Sequence, residues 1–111
     1  MNKIDLSIVI PIYNEQENIK ILHEALNKTV KTLNLTYEII FIDDGSNDES
    51  FKIIKEEAAK DSAIKIIKFA RNFGQTAAIE AGFQNSKGKI IIPMDGDLQN
   101  DPADIPRLLA R

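Results

Sequence analysis

Lys89-Ile90-Ile91-Ile92-Pro93-Met94-Asp95-Gly96-Asp97-Leu98-Gln99 is an apolar, isoleucine-rich run that stops abruptly and hands the chain to two carboxylates one residue apart. A short run of this kind, bounded by polar residues, reads as a strand buried on both faces. A strand that delivers two acids into a loop suggests a divalent-metal site. Held a few ångströms apart, Asp95 and Asp97 repel by roughly 1 to 4 kcal/mol, depending on local dielectric, unless a cation lies between them. Hard cations such as Mg²⁺ or Mn²⁺ take such oxygen ligands and share them with a substrate's phosphates. The same Asp-Gly-Asp also makes an ordinary polar turn, since Gly tolerates positive φ and Asp bonds its own backbone. Both readings stand on these residues alone, and the rest of the chain has to separate them.

Working outward, three earlier runs repeat the pattern: Leu6 to Ile12, Glu38 to Ile42 and Ile64 to Phe69, each closed by a polar cluster. Between them lie segments with helical spacing. In Glu17 to Leu33, Ile19, Leu22, Leu26, Val30 and Leu33 recur at three and four residues. Asn14 is the expected cap there, with Glu15 and Glu17 as acids of the first turn. A second helix is expected from about Asp48 to Ala59, capped by Ser46 or Asn47. A third spans Gln75 to Asn85, with Ala77, Ala78, Ala81 and Gly82 as its small residues. Strands alternating with helices predict an α/β fold, a mainly parallel sheet with helices on both faces. In such a sheet ligands collect outside the carboxyl ends of the strands, where strand order reverses. No linker or repeat divides residues 1–111, so they are expected to form a single domain. Ile105 to Arg111 reads as the first turns of a helix with no stop signal after it, as expected of a piece of a longer protein.

Composition narrows the function classes. The chain has 111 residues, 43% hydrophobic and 28% charged, as in compact domains. Its net charge of -3, from 14 basic and 17 acidic residues well interspersed, gives a nucleic-acid backbone no basic stripe to follow. Cysteine is absent, which excludes disulfides and thiolate metal sites and fits a reducing compartment. The apolar run near the N-terminus is too short for a signal peptide core or a membrane span. His23, the one histidine, falls inside the first helix and reads as structural or solvated.

Each strand end carries candidate chemistry beside a plainer reading. After the first strand, Pro11 fixes the exit of the chain, Tyr13 offers a ring that can stack on a base, and Glu15 can accept bonds from ribose or a base edge. An ordinary helix N-terminus would look similar. After the second, Asp44 can accept a hydrogen bond from a base imide or ribose. After the third, Arg71 can touch a phosphate, and Gly74 lets backbone approach a ligand at a helix N-terminus. A turn with a solvated Arg fits those two equally well. Gln99 adds an amide oxygen to the acid pair.

Taken together and in this order, Val9-Ile10-Pro11-Ile12-Tyr13-Asn14-Glu15, Ile42-Asp43-Asp44-Gly45-Ser46 and Met94 to Gln99 resemble the family 2 inverting glycosyltransferases of GT-A fold. Arg71-Asn72-Phe73-Gly74, then Ala77-Ala78 and Ala81-Gly82, then Asp95 to Gln99, are most similar to the polyprenol-phosphate branch, which includes dolichol-phosphate mannosyltransferase. The resemblance covers essentially the whole chain. It implies a Rossmann-like, nucleotide-binding half of a GT-A fold, in which Pro11, Tyr13, Glu15 and Asp44 line the nucleoside pocket. It further implies that Asp95 and Asp97, with Gly96 between them, form the DxD pair that engages ribose, metal and diphosphate, with Gln99 as a further metal ligand.

The expected activity of the parent protein is therefore metal-dependent transfer of a hexosyl group from a UDP- or GDP-sugar, with Mg²⁺ or Mn²⁺, to a polyprenol phosphate at the cytoplasmic face of a membrane. Acceptor-binding residues and any catalytic base would lie beyond Arg111, so this piece is expected to bind donor with little turnover. Two alternatives keep their place. One is a glycosyltransferase acting on polysaccharide, glycolipid or glycoprotein. The other is of a different class: a phosphoacceptor module with Asp43, Asp44 and Asp95 as its Mg²⁺ pocket, or a non-catalytic nucleotide-binding domain.

Overall fold

The computed structural model describes residues 3–96 together with Pro102 and Ile105. Strands β1 (Ile4–Ile12), β2 (Tyr37–Asp43), β3 (Ile64–Lys68) and β4 (Gly88–Pro93) alternate with helices α1 (Ile19–Val30), α2 (Ser50–Lys60) and α3 (Gln75–Gln84). A short 3₁₀ turn, Lys31–Leu33, completes the first helical segment. The expected alternation is present, with boundaries shifted by a few residues. The expected helix at the C-terminus lies outside the described residues.

The strands form one parallel sheet in the order β3-β2-β1-β4. The chain steps from β1 to β2 to β3 in one direction and then returns to the far side of β1. Strand order therefore reverses between β1 and β4, and the crevice above their carboxyl ends is the place such a sheet offers a ligand.

Side-chain alternation along the two central strands builds two apolar layers. Leu6, Ile8, Ile10, Ile12, Ile39 and Phe41 pack against Ile19, Leu22 and Leu26 of α1 and Ile54 of α2. Val9, Ile40 and Ile42 point the other way, onto Ala78 of α3. This is why β1 and β2 read as continuous isoleucine-rich runs: neither face meets water. The small residues of α3 let it sit close. A Cβ on Gly82 would lie 2.3 Å from Val9 Cγ1.

One polar group breaks the apolar layer at the opposite end of the sheet. Glu38, 1% exposed, accepts hydrogen bonds from Ser7 Oγ (2.6 Å) and the Lys87 backbone N–H (2.7 Å), and pairs with Lys65 Nζ at 3.0 Å. Ser7 Oγ in turn accepts from the Gly88 N–H at 2.8 Å. Burial pushes the Glu38 carboxyl up, but the bonds from Ser7, Lys87 and Lys65 outweigh it and hold it below the usual glutamate range. The effect is to tie β3, β2, β1 and the start of β4 into one register.

The expected helix caps are a correction. Asn14 does not cap α1: the helix begins at Ile19 with Asn18 before it, and Asn14 sits in the left-handed region at φ 54°. Ser46 and Asn47 do not cap α2 either. Its first N–H, that of Ser50, goes to Asp48 Oδ1 at 2.9 Å. Asn14, Ser46 and Asn47 instead bond to one another across two loops.

Candidate active site

Those two loops leave adjacent strands, β1 and β2, and zip together. Ser46 Oγ accepts from the Asn14 N–H (3.0 Å), Asn14 Oδ1 from the Asn47 N–H (2.7 Å), Ser50 Oγ from the Glu15 N–H (2.9 Å) and Gln16 Oε1 from the Glu49 N–H (2.9 Å). Side chains thereby satisfy backbone donors that no helix or strand uses. Burial raises the Asp48 carboxyl, but bonds from Ser50 and the Gln16 N–H outweigh it and leave it below the usual aspartate range. The zipper fixes the backbone that carries Tyr13 and Glu15.

The other side is built from the β2–α2 and β3–α3 loops. Asp44, almost wholly buried, accepts from the Phe73 N–H (2.7 Å), the Gly74 N–H (3.0 Å) and Asn72 Nδ2 (3.0 Å). Gly45, at φ +69°, lets the turn touch this loop: a Cβ there would lie 2.3 Å from the Arg71 carbonyl carbon. Beyond β4, a Cβ on Gly96 would lie 2.6 Å from Ile12 Cδ1 and 3.0 Å from the Pro11 carbonyl oxygen. Glycine at that position lets the β4 loop lie flat against the end of β1.

These pieces enclose a cleft of about 290 Å³ at the carboxyl end of the sheet. Pro11, Tyr13 and Glu15 reach it from β1, Asp44 from β2, Gly74 from the β3–α3 loop, and Asp95 and Gly96 from β4. Tyr13, 43% exposed, is one of these lining residues. Seven of the residues expected from the sequence thus line one cavity. Asn72 and Gln75 also line it, and neither was expected. The sequence signal for Asn72 was its place beside Arg71 in the quoted motif, but its bond to Asp44 spans a separation of 28 residues.

Other expected residues stand elsewhere. Arg71 is not in the cleft wall; its guanidinium lies over the Phe73 ring, 4.4 Å from the centroid. Gly74 does open helix α3, yet its N–H and that of Phe73 are already taken by Asp44. Asp97 and Gln99 lie outside the described residues. Asp43 is buried with Oδ1 accepting from the Ser46 N–H (3.2 Å) and does not line the cleft, so the acidic pocket of Asp43, Asp44 and Asp95 is not assembled. His23 is structural rather than solvated: it is buried between α1 and α2, with Nδ1 2.8 Å from Glu57 Oε1 and Nε2 2.8 Å from Asp61 Oδ2.

The donor chemistry suits a hard cation. Among the described residues, the cleft lining offers carboxylate oxygens from Asp95 and Glu15. Among the described residues, no three His, Cys, Asp or Glu side chains converge into a complete metal site. Among those residues, too, no helix is long and apolar enough to cross a membrane.

Proteins similar in sequence to this chain include proteins named as sugar transferases. At 46% identity, the chain resembles an undecaprenyl-phosphate 4-deoxy-4-formamido-L-arabinose transferase of Proteus mirabilis, over 99% of this chain and 33% of that one. At 50% identity it resembles a putative glycosyltransferase, CsbB, of Bacillus subtilis, over 86% of this chain and 29% of that one. The chain therefore spans about a third of the length of these relatives. Among solved structures it superposes on S. aureus TarS 1-349 in complex with UDP-GlcNAc with a TM-score of 0.78 at 20% identity, covering 96% of this chain and 30% of that one. It superposes on the mannosyltransferase PcManGT of Pyrobaculum calidifontis, in complex with GDP-Man and Mn²⁺, with a TM-score of 0.73 at 17% identity, covering 94% and 30%. These superpositions show a shared GT-A fold. The profile of the family described as "Glycosyl transferase family 2" matches residues 7–111, and the chain belongs to that family.

Proposed function

We propose that the chain is the donor-binding part of a metal-dependent glycosyltransferase that moves a hexosyl group from a UDP- or GDP-sugar to a polyprenol phosphate. The observation that carries this reading is the convergence of four strand ends on one cleft at the point where strand order reverses. Relatives named for transfer to undecaprenyl phosphate, and neighbours holding UDP-GlcNAc or GDP-Man with Mn²⁺, favour the same substrates and a divalent cation.

In this reading Tyr13 stacks on the base, while Glu15 and Asp44 accept from the base edge or ribose. Three of the lone-pair sites of Asp44 are spent on the 72–74 loop, so its contribution to the nucleoside is one remaining acceptor on a rigid mount. Asp95, with Asp97 and Gln99, holds a divalent cation, which when bound supplies Lewis-acid neutralisation of the departing nucleoside diphosphate. Arg71, stacked on Phe73 at the loop beside the cleft, keeps its guanidinium donors for a phosphate. A polyprenol phosphate is already an anionic nucleophile and makes a modest demand for a protein base. Such an acceptor places the parent protein at a membrane, on the cytoplasmic face where nucleotide sugars are made.

The reading is tested by calorimetric titration of UDP and GDP into the chain with Mn²⁺ or with chelator. Mn²⁺-dependent binding of one nucleotide is expected, with Asp97→Ala abolishing the dependence. Binding that ignores the metal and survives Asp97→Ala would overturn the clamp. Tyr13→Ala is expected to weaken nucleotide binding by about 1 to 3 kcal/mol through lost stacking. Unchanged affinity would remove Tyr13 from the site.

A further inference from the structure

Gln75 is the first residue of α3, and its Nε2 donates to Asp95 Oδ1 at 3.1 Å across the cleft. The two residues are brought together from different elements, 20 positions apart in sequence. Asp95 follows the last ladder-like bond of its strand, Met94 N–H to the Val9 carbonyl at 2.9 Å, so its carboxylate depends on neighbours for orientation. Gln75 can supply that orientation because its backbone is anchored on both sides. Before it, the Phe73 and Gly74 N–H groups donate to Asp44; behind it, Gly82 lets α3 pack closely on Val9 and Ile42. Being a carboxamide, it donates without adding a positive charge that would compete with a cation for the same oxygen.

We infer that Gln75 is a positioning residue for the diphosphate and cation end of the cleft, holding one oxygen of Asp95 so that the carboxylate meets its ligand in a fixed orientation. The inference rests on the donor-cleft reading above. Hydrogen-bond partners that orient a metal-ligating carboxylate typically change metal affinity by about 10- to 100-fold when removed.

The test uses Gln75→Met, which keeps length and helix propensity but donates nothing, and Gln75→Thr, which is polar but too short to reach. Mn²⁺ affinity is read by the electron paramagnetic resonance of free Mn²⁺ in the presence of saturating UDP or GDP, and nucleotide affinity by calorimetry in chelator. Both variants are expected to bind Mn²⁺ about 10-fold more weakly, with metal-free nucleotide affinity and thermal midpoint unchanged. Unchanged Mn²⁺ affinity would overturn the inference and leave the donor reading standing. So would an equal loss with and without metal, because Gln75 would then be acting on the fold or the nucleoside. If the unsubstituted chain binds nucleotide with no response to Mn²⁺, the metal reading itself fails and Gln75 falls with it.

Discussion

Asp44 shows how one carboxylate can be both wall and girder. Its oxygens accept three hydrogen bonds from the Asn72 to Gly74 loop, and its neighbour Gly45 has no space for a side chain against Arg71. Asp44→Asn turns one acceptor into a donor that faces other donors, leaving a buried N–H unsatisfied at a cost of about 1 to 3 kcal/mol. A lower urea midpoint and faster hydrogen exchange at the Phe73 and Gly74 amides are expected. Gly45→Ala is expected to cost more than about 1 kcal/mol, since both positive φ and the facing backbone oppose it; chemical denaturation measures this. That an acid belonged at the cleft was legible at Asp44. Its bonds were not, because they join residues 28 to 30 positions apart and no local pattern encodes that meeting.

Between elements, the α1–α2 contact is polarised around His23. Its Nδ1 lies 2.8 Å from Glu57 Oε1 and its Nε2 2.8 Å from Asp61 Oδ2, with Asn27 Nδ2 3.0 Å from the same Nε2. Burial raises the Glu57 and Asp61 carboxyls, but the bonds from His23, joined at Glu57 by Lys60 and at Asp61 by the Ala63 N–H and Asn27, outweigh it and leave both below the usual range. A carboxyl depressed in the folded state contributes stability that is complete above its unfolded pKa, near 4, and is lost as pH falls through the folded value. Urea midpoints measured from pH 7 down to pH 3 are therefore expected to fall more steeply for the natural chain than for His23→Ala. Parallel slopes would show that the cluster does not stabilise the helix pair. Helix and strand positions were readable from apolar spacing alone. The caps were misread because the Asn14 and Ser46 side chains accept from backbone N–H groups of a neighbouring loop, that of Asn47 among them, and capping residues look the same in sequence whichever backbone they serve.

At the scale of the molecule, parallel α/β architecture follows from alternation, whereas the order β3-β2-β1-β4 depends on contacts that alternation does not specify. Among the described residues, β4 pairs only with β1 and lies at the sheet edge, with Ile90 and Ile91 exposed and Phe83 of α3 also exposed. An apolar edge is a template for further strand pairing. The chain is expected to self-associate with rising concentration in sedimentation velocity, and Ile91→Lys to suppress it. The buried Glu38 has a last consequence, for folding fidelity. A sheet that closes with β4 one residue out of step would deprive Glu38 of the Lys87 N–H and Ser7 of the Gly88 N–H, and would turn the side chains of β4 to the opposite face. Glu38 would keep Ser7 and Lys65, but each buried polar group left without its partner costs about 1 to 3 kcal/mol. The sheet thus carries its own proofreading step, and a chain that passes it has Asp95 at the right height above the cleft.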